Sequence, residues 1–398
     1  MACLRIYAGG PIHDEITSGG HPEPLPAPLN CARWIMIFLA FSQLLFANPA
    51  YAENPVESTS STINHATKNK EEYGFRAGSY LAAPVPFRNP TIGAGLALGG
   101  AYMFQFDPDS NTSHIALGGL KSDNGTNGFG LSGSFAWDSN RWQLSATVAQ
   151  AEAFYDLYVG GIPLAVQQKG DLLTGTLLYG FTPKFSLGPK FRYLDTIVGL
   201  DQGGILPPGI IGDTNLTLAN FGLVARWDTR DDTLYPQEGF YLNSEIMGGT
   251  TLNGASREYG KAFVNLGLYK ALSDTTVLAS YFSTCGASSE APFFDQCSLG
   301  GVDSFRGFSS TQYYDQRSFS VQLELRQRFG QRFGAVAFAG TGMTGSSYGN
   351  LSSGGPHSAV GVGLRFQLTQ KFKTDFSIDA SYNDEDEQLV YIYVGQRF

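Results

Sequence analysis

The sequence predicts an all-β chain: a transmembrane antiparallel β-barrel of about sixteen strands whose sixth extracellular loop folds inward. Three observations predict it. Only 15% of the 398 residues are charged, against about 25% in a soluble globular domain. Glycine (49), Phe (29) and Tyr (20) are abundant, which suits strands that face lipid on one side and water on the other. Apolar and polar residues alternate with a period of two, and no amphipathic helix of useful length interrupts the pattern.

The N-terminal residues stand outside that pattern. Residues 1–52 read as a leader. Arg33 precedes the apolar run Trp34-Ile35-Met36-Ile37-Phe38-Leu39-Ala40-Phe41, and Ala50-Tyr51-Ala52 supplies a small-x-small cleavage signature. The run is too short and interrupted for a membrane-spanning helix. Residues 53–75 are rich in Ser, Thr, Asn, Lys and Glu. They are expected to be a disordered periplasmic segment, too short for a folded domain. The barrel is expected over residues 76–398. Export implies an oxidising compartment, so Cys285 and Cys297, close together in one loop, are expected to form a disulfide. Two cysteines alone are too few for a metal site.

Candidate strands begin near Thr91, His114, Phe129, Arg141, Phe154, Asp171, Lys190, Asn220, Phe240, Glu258, Thr276, Ser318, Ala335, Ala359, Thr374 and Leu389. Their spacing accommodates tilted strands of about 9–11 residues with connectors. A hairpin could be miscounted within residues 151–170. The alternation is clearest late in the chain: Val360, Val362, Leu364 and Phe366 interleave with Gly361, Gly363, Arg365 and Gln367. A soluble sandwich shows the same period with its apolar face inward. The leader and the aromatic strand ends (Trp137, Trp142, Tyr179, Phe181, Trp227 and Phe398), placed where an interfacial girdle would fall, decide for the membrane.

Counting back from Phe398 with both chain ends periplasmic puts residues 202–215 and 286–316 outside. It puts Asp228-Thr229-Arg230-Asp231 with Pro236 and Gly239 in a periplasmic turn. There Pro presets φ, Gly relieves it, and Arg230 is a candidate partner for Asp231. The outer segment 286–316 holds a single arginine, Arg306, in Gly300-Gly301-Val302-Asp303-Ser304-Phe305-Arg306-Gly307-Phe308. A guanidinium withdrawn from water needs an acidic partner. The next strand offers Glu324, on the polar face of Ser318-Phe319-Ser320-Val321-Gln322-Leu323-Glu324-Leu325-Arg326. Arg306, Gly307, Phe308 and Glu324 are thus the candidate loop lock.

Three stretches resemble the BamA/TamA-type outer-membrane protein family, also called the bacterial surface antigen family. They are the Phe305-Arg306-Gly307-Phe308 loop, similar to the family's V-R-G-F/Y; the Asp228-Thr229-Arg230-Asp231 turn; and the aromatic end Tyr391-Ile392-Tyr393-Val394-Gly395-Gln396-Arg397-Phe398. The resemblance covers about Thr91 to the end. It implies a sixteen-stranded barrel whose sixth loop tucks into the lumen, with Arg306 against Glu324. Many members supply a second acid from the strand after, but Val336-Ala337-Phe338-Ala339-Gly340 has none, which leaves Asp375 or Asp379 to complete the site. No periplasmic POTRA domain fits here, so the chain resembles the short members.

The resemblance further implies a Gram-negative outer-membrane location and a role in outer-membrane protein assembly, insertion or translocation. The implied partners are outer-membrane lipid and client outer-membrane proteins or accessory periplasmic proteins. The alternative is a passive or gated pore without an assembly role. Gly395 and Phe398 mark the seam where the last strand meets the first, placed here at the Gly-rich stretch from Thr91, with Gly93 opposite Val394. In the family that seam opens sideways. Nucleic acid is not an expected partner, since a net charge of -9 leaves no basic stripe for phosphates. No enzyme activity, cofactor or metal is expected: His65, His114 and His357 are scattered, without catalytic or metal-binding spacing.

Overall fold

The structure, a computed structural model, describes residues 73–398 except 160, 202–214, 254–256, 301–304, 352–354 and 370–373. The leader, residues 53–72 of the polar segment, residues 202–214 and residues Gly301 to Ser304 therefore lie outside the described residues. The strands are β1 (Ser79–Asn89), β2 (Gly93–Phe104), β3 (Ser113–Ser122), β4 (Asn127–Trp137), β5 (Trp142–Val159) and β6 (Ile162–Gly180). There follow β7 (Phe185–Leu200), β8 (Asn215–Asp228), β9 (Gly239–Thr251), β10 (Glu258–Ser273) and β11 (Thr276–Ala287). After a long loop containing the two-residue strands β12 (Cys297–Ser298) and β13 (Tyr314–Asp315) come β14 (Arg317–Phe329), β15 (Phe333–Gly345), β16 (His357–Thr369), β17 (Thr374–Asn383) and β18 (Gln388–Val394). Sixteen of these, all but β12 and β13, close into one antiparallel barrel in chain order, with β14 beside β11 and β1 beside β18.

The side-chain period of two sorts each strand into a wall-facing and a lumen-facing set. Along β14, Gln322, Glu324 and Arg326 are buried, while Leu323 and Leu325 between them are exposed. Along β17, Asp375, Ser377, Asp379 and Ser381 are all buried. Polar residues line the inside and apolar ones the outside. This is the inverse of a soluble sandwich and the pattern of a lipid-facing barrel.

At the short-turn end the aromatic residues form a continuous chain around six strands. Trp137 stacks on Trp142, and contacts run on through Tyr179, Phe181, Phe185 and Trp227 to Phe240. Phe398 does not join this girdle. Its ring turns into the lumen against Tyr281 at 5.1 Å and is buried with Tyr269 and Ala279. Gly395, at φ +102°, is where the chain leaves the strand direction.

Two errors in the expected strand list cancel. The first strand is Ser79–Asn89, not the stretch from Thr91, and Pro84 and Pro86 hid it, since proline reads as a strand breaker. The separate strands expected near Arg141 and Phe154 are one 18-residue strand, β5, paired along its length with the 19-residue β6. The polar stretches Gln150-Ala151-Glu152 and Gln167-Gln168-Lys169 look like a connector in sequence. In space they lie side by side on this hairpin, with Glu152 opposite Lys169, and the hairpin overshoots the roughly 9–11 residues a membrane crossing needs. The count from the C-terminus is unaffected, so the loop of residues 288–316 remains the sixth at the long-loop end.

The seam is corrected as well. β1 pairs with β2 over eleven positions, but with β18 at one, Arg88↔Ile392. Gly93 lies on β2, so Gly93 and Val394 do not face each other across the closing edge. Pro84 and Pro86 offer no N–H, and being two apart they remove donors from the same edge of β1. The register with β2 is uninterrupted, so the missing donors fit the sparse pairing toward β18.

Candidate functional site

The sixth loop enters the lumen and is fixed to the wall at both ends of its path. Its second half carries Arg306, which is fully buried. The guanidinium lies 2.5 Å from Glu324 Oε2 and 2.6 Å from Asp379 Oδ2. Its Nε donates to Gln322 Oε1 at 2.9 Å, and Gln322 Nε2 donates back to the Arg306 carbonyl at 3.3 Å. The Phe338 ring lies 3.6 Å beneath the guanidinium, a face that attracts a desolvated cation. The second acid thus comes from β17, as Asp379. Asp375 is occupied elsewhere, bidentate to Arg328 at 3.0 and 2.6 Å.

The residues around Arg306 set its path. Gly307 has φ +131°, and a Cβ there would sit 2.2 Å from Ala359 Cβ, so only glycine fits between loop and wall. Its N–H donates to Tyr391 Oη and its carbonyl accepts from Asn383 Nδ2, both at 2.8 Å. Phe308 is buried with Leu299, Phe305 and Ala359. The cluster then extends past the expected residues. Arg326 Nε donates to Glu324 at 2.7 Å, and its Nη2 donates to a main-chain oxygen of Phe398. Arg365 donates to Asp379, which also accepts from Tyr393 Oη at 2.7 Å. The loop arginine, the wall and the chain's last residue therefore share one buried network. Alternation alone signals Arg326, Arg365 and Asp379 as lumenal. Their meeting across β14, β16 and β17 is invisible until the register is known.

A second anchor, absent from the sequence reading, holds the first half of the loop. Asp295 accepts from Arg192 Nη1 at 3.1 Å and from Tyr259 Oη at 2.7 Å, with Lys261 Nζ 3.5 Å away. Burial alone would push the Asp295 carboxyl up, but Arg192, Lys261 and Tyr259 hold it below its ordinary value. Next to it Cys285 and Cys297 are disulfide-bonded, tying the loop to β11. Beyond Arg306, Thr91 Oγ1 lies 3.0 Å from the Ser309 and Ser310 hydroxyls, and Thr311 Oγ1 donates to the Asp156 carbonyl at 2.6 Å.

The turn between β8 and β9 stands apart from this site. Arg230 pairs with Asp228, not with Asp231, through bonds of 2.9 and 2.7 Å, and stacks over Tyr241. Asp231 Oδ1 accepts instead from the Gln237 and Glu238 N–H groups. Pro236 is buried. Gly239, at φ +96°, would place a Cβ 2.3 Å from the Thr229 carbonyl oxygen. We expect Gly239→Ala to lower the urea midpoint of the refolded barrel by the equivalent of about 1–3 kcal/mol. An unchanged midpoint would show that this turn relaxes freely.

The model of the Omp85 superfamily domain matches residues 75–398. The chain belongs to the Omp85 superfamily. No curated protein sequence matches it significantly. Solved structures similar to this Omp85 barrel include BamA from Haemophilus ducreyi lacking POTRA domains 1-3, at 14% identity and a TM-score of 0.54, covering 80% of this chain and 70% of that one. CdiB from Acinetobacter baumannii is 11% identical with a TM-score of 0.54, covering 80% and 59%. CdiB from Escherichia coli is 16% identical with a TM-score of 0.53, covering 79% and 62%. The chain thus spans less than two thirds of either CdiB. At these identities the likeness establishes a common barrel fold.

Proposed function

We propose that this Omp85 barrel sits in a Gram-negative outer membrane and aids the insertion or translocation of client outer-membrane polypeptides at its β1–β18 seam. The observation that carries the reading is the pairing itself: one register pair at the seam, against seven between β17 and β18 and eleven between β1 and β2. In lipid an unpaired strand edge is costly. An edge whose own partner is weakly held is therefore a ready template for a client strand, added by backbone pairing.

The lumen supports lateral work over free passage. The sixth loop crosses it between two charged anchors. A cavity of about 370 Å3 beneath the loop is lined by Tyr155, Lys261 and Asn265. Another of about 530 Å3 opens at the short-turn end, lined by Arg226, Asp228, Arg230 and Tyr241. In this reading Arg306, Glu324 and Asp379 lock the loop as a strut, while Gly395 and Phe398 hold the last strand bent inward and the seam poised to part. The work is assembly or transport, with no catalytic step.

The test is a disulfide across the seam, Arg88→Cys with Ile392→Cys, in protein whose native cysteines are already paired. Reconstituted into liposomes, the oxidised double variant is expected to lose accelerated folding of a model outer-membrane barrel, and reductant that opens only the seam bond to restore it. Undiminished acceleration with the crosslink closed, or conductance with no acceleration in any state, would leave a passive pore as the better account.

A further inference from the structure

Three donors that are far apart in sequence meet at the long-loop end of the barrel. His357 opens β16, and Asp384 and Glu385 lie in the turn between β17 and β18. One ring nitrogen of His357 and one oxygen from each carboxylate lie within 4.8 Å of one another. We propose that this group is a divalent transition-metal site, suited to Zn2+, which braces the stretch of barrel wall on which the sixth loop packs.

The histidine is the observation that separates this group from an ordinary acidic turn. It is only 8% exposed, yet among the described residues its ring makes no hydrogen bond. It is held by packing alone, stacked on Tyr313 with ring centroids 3.6 Å apart and edge-on to Phe308 at 5.6 Å. An imidazole on a largely buried residue, with no protein hydrogen bond to its ring and one nitrogen within 4.8 Å of two carboxylate oxygens, has unused ligating capacity.

The acids are prepared in the way metal ligands usually are, with hydrogen bonds fixing each carboxylate from behind. Asp384 Oδ2 accepts from the Ser358 N–H at 2.7 Å, which leaves Oδ1 for an ion. Glu385 Oε1 accepts from Tyr313 Oη at 2.8 Å, which leaves Oε2. The turn itself is braced, because Asn383 Oδ1 accepts from the Glu385 and Glu387 N–H groups at 3.1 and 2.9 Å.

Bonds of about 2.0–2.2 Å place tetrahedral donors roughly 3.4 Å apart, so closure requires the two exposed carboxylates to draw in from donor separations of up to 4.8 Å. One imidazole with two carboxylates favours Zn2+ over Ca2+ or Mg2+, which prefer oxygen donors alone. The consequence for the loop follows from the contacts. Tyr313 and Phe308 belong to the loop, while the metal donors belong to the wall. Asn383, which braces the turn, also binds the Gly307 carbonyl beside Arg306. An ion here would tighten the same stretch that Arg306 holds, and would do so whether or not the seam works as proposed.

The test uses tag-free, refolded full-length barrel in detergent, stripped with chelator and titrated with Zn2+, and in parallel with Co2+ for its d–d absorption. One equivalent of Zn2+ is expected to bind and to raise the thermal midpoint by roughly 5 °C or more at a hundredfold excess over Kd. Co2+ is expected to give the visible bands of a nitrogen–oxygen site. His357→Ala, Asp384→Asn and Glu385→Gln should each weaken binding at least tenfold, with folding confirmed by heat-dependent gel mobility. The two acid variants keep the outer shape of the turn, and the Co2+ spectrum needs no variant at all. Substoichiometric binding, binding indifferent to His357→Ala, or equal preference for Ca2+ would overturn the proposal.

Discussion

Arg306→Ala is expected to cost about 3–5 kcal/mol, because it leaves two fully buried carboxylates without their shared cation. Glu324 and Asp379 both contact the guanidinium, and both have no exposed surface. Neither can recover its lost partner from water. Arg326 and Arg365 remain beside them, which sets a limit on the damage but does not remove it. Arg326 already donates to Glu324 and to a main-chain oxygen of Phe398, and Arg365 to Asp379 and Tyr393, so neither is free to replace Arg306.

The reciprocal change has its own cost. Glu324→Ala strands Arg306 and Arg326 together, since both are ion-paired with it. The double variant Arg306→Ala with Glu324→Ala removes one charge of each sign, and its loss should fall well short of the summed single losses. Thermal unfolding of the heat-modifiable barrel measures all three. Additive losses would mean that the two residues do not act as a pair. Arg306→Met keeps the packing over Phe338 but not the charge, and so separates the cost of the ring contact from that of the ions.

Sequence carried the wall of this barrel further than its contents. The polar face of β14 identified Glu324 as lumenal because alternation needs only local information. The same logic marked Asp379 as a candidate but could not choose it over Asp375. That choice depends on how far β17 is staggered against β14, three strands away, and stagger is set by the whole closed sheet. Arg328 settles the matter by taking Asp375.

The β1 strand failed for a different reason. Pro84 and Pro86 argue against a central strand, and they are correct in that β1 is nearly an edge. A barrel admits such a strand only at its weakest closure, so the feature that hid it from pattern reading is the one that bears on the seam. Asp295 was illegible altogether. A lone acid among Phe293, Phe294 and Pro292 carries no periodic signal, and its partners come from β7 and β10.

The second large effect is expected at that hidden anchor. Asp295→Asn removes the counter-charge for Arg192 and Lys261, and each charge-assisted bond lost costs about 1.5–3 kcal/mol. The disulfide masks this, because a bridge closing a loop with a sequence separation of 12 contributes about 3 kcal/mol through the model of restricted unfolded chains. Neither change alone should free the first half of the loop. Together, Asp295→Asn under reducing conditions should expose Phe293 and Phe294 to chymotrypsin, giving one major cut while the barrel stays folded. Wild-type protein should resist with or without reductant at neutral pH.

The carboxyl of Asp295 is held below its ordinary value, so its contribution to docking is complete above the unfolded Asp value of about 3.9 and is lost only as pH falls through the lower, folded value. Reduced wild-type barrel should therefore stay closed to proteolysis near pH 5 and open to pepsin as the pH approaches the bottom of that range. The reduced Asn variant should be open throughout. Equal resistance of both proteins under reduction would show that the Arg306 end alone positions the loop.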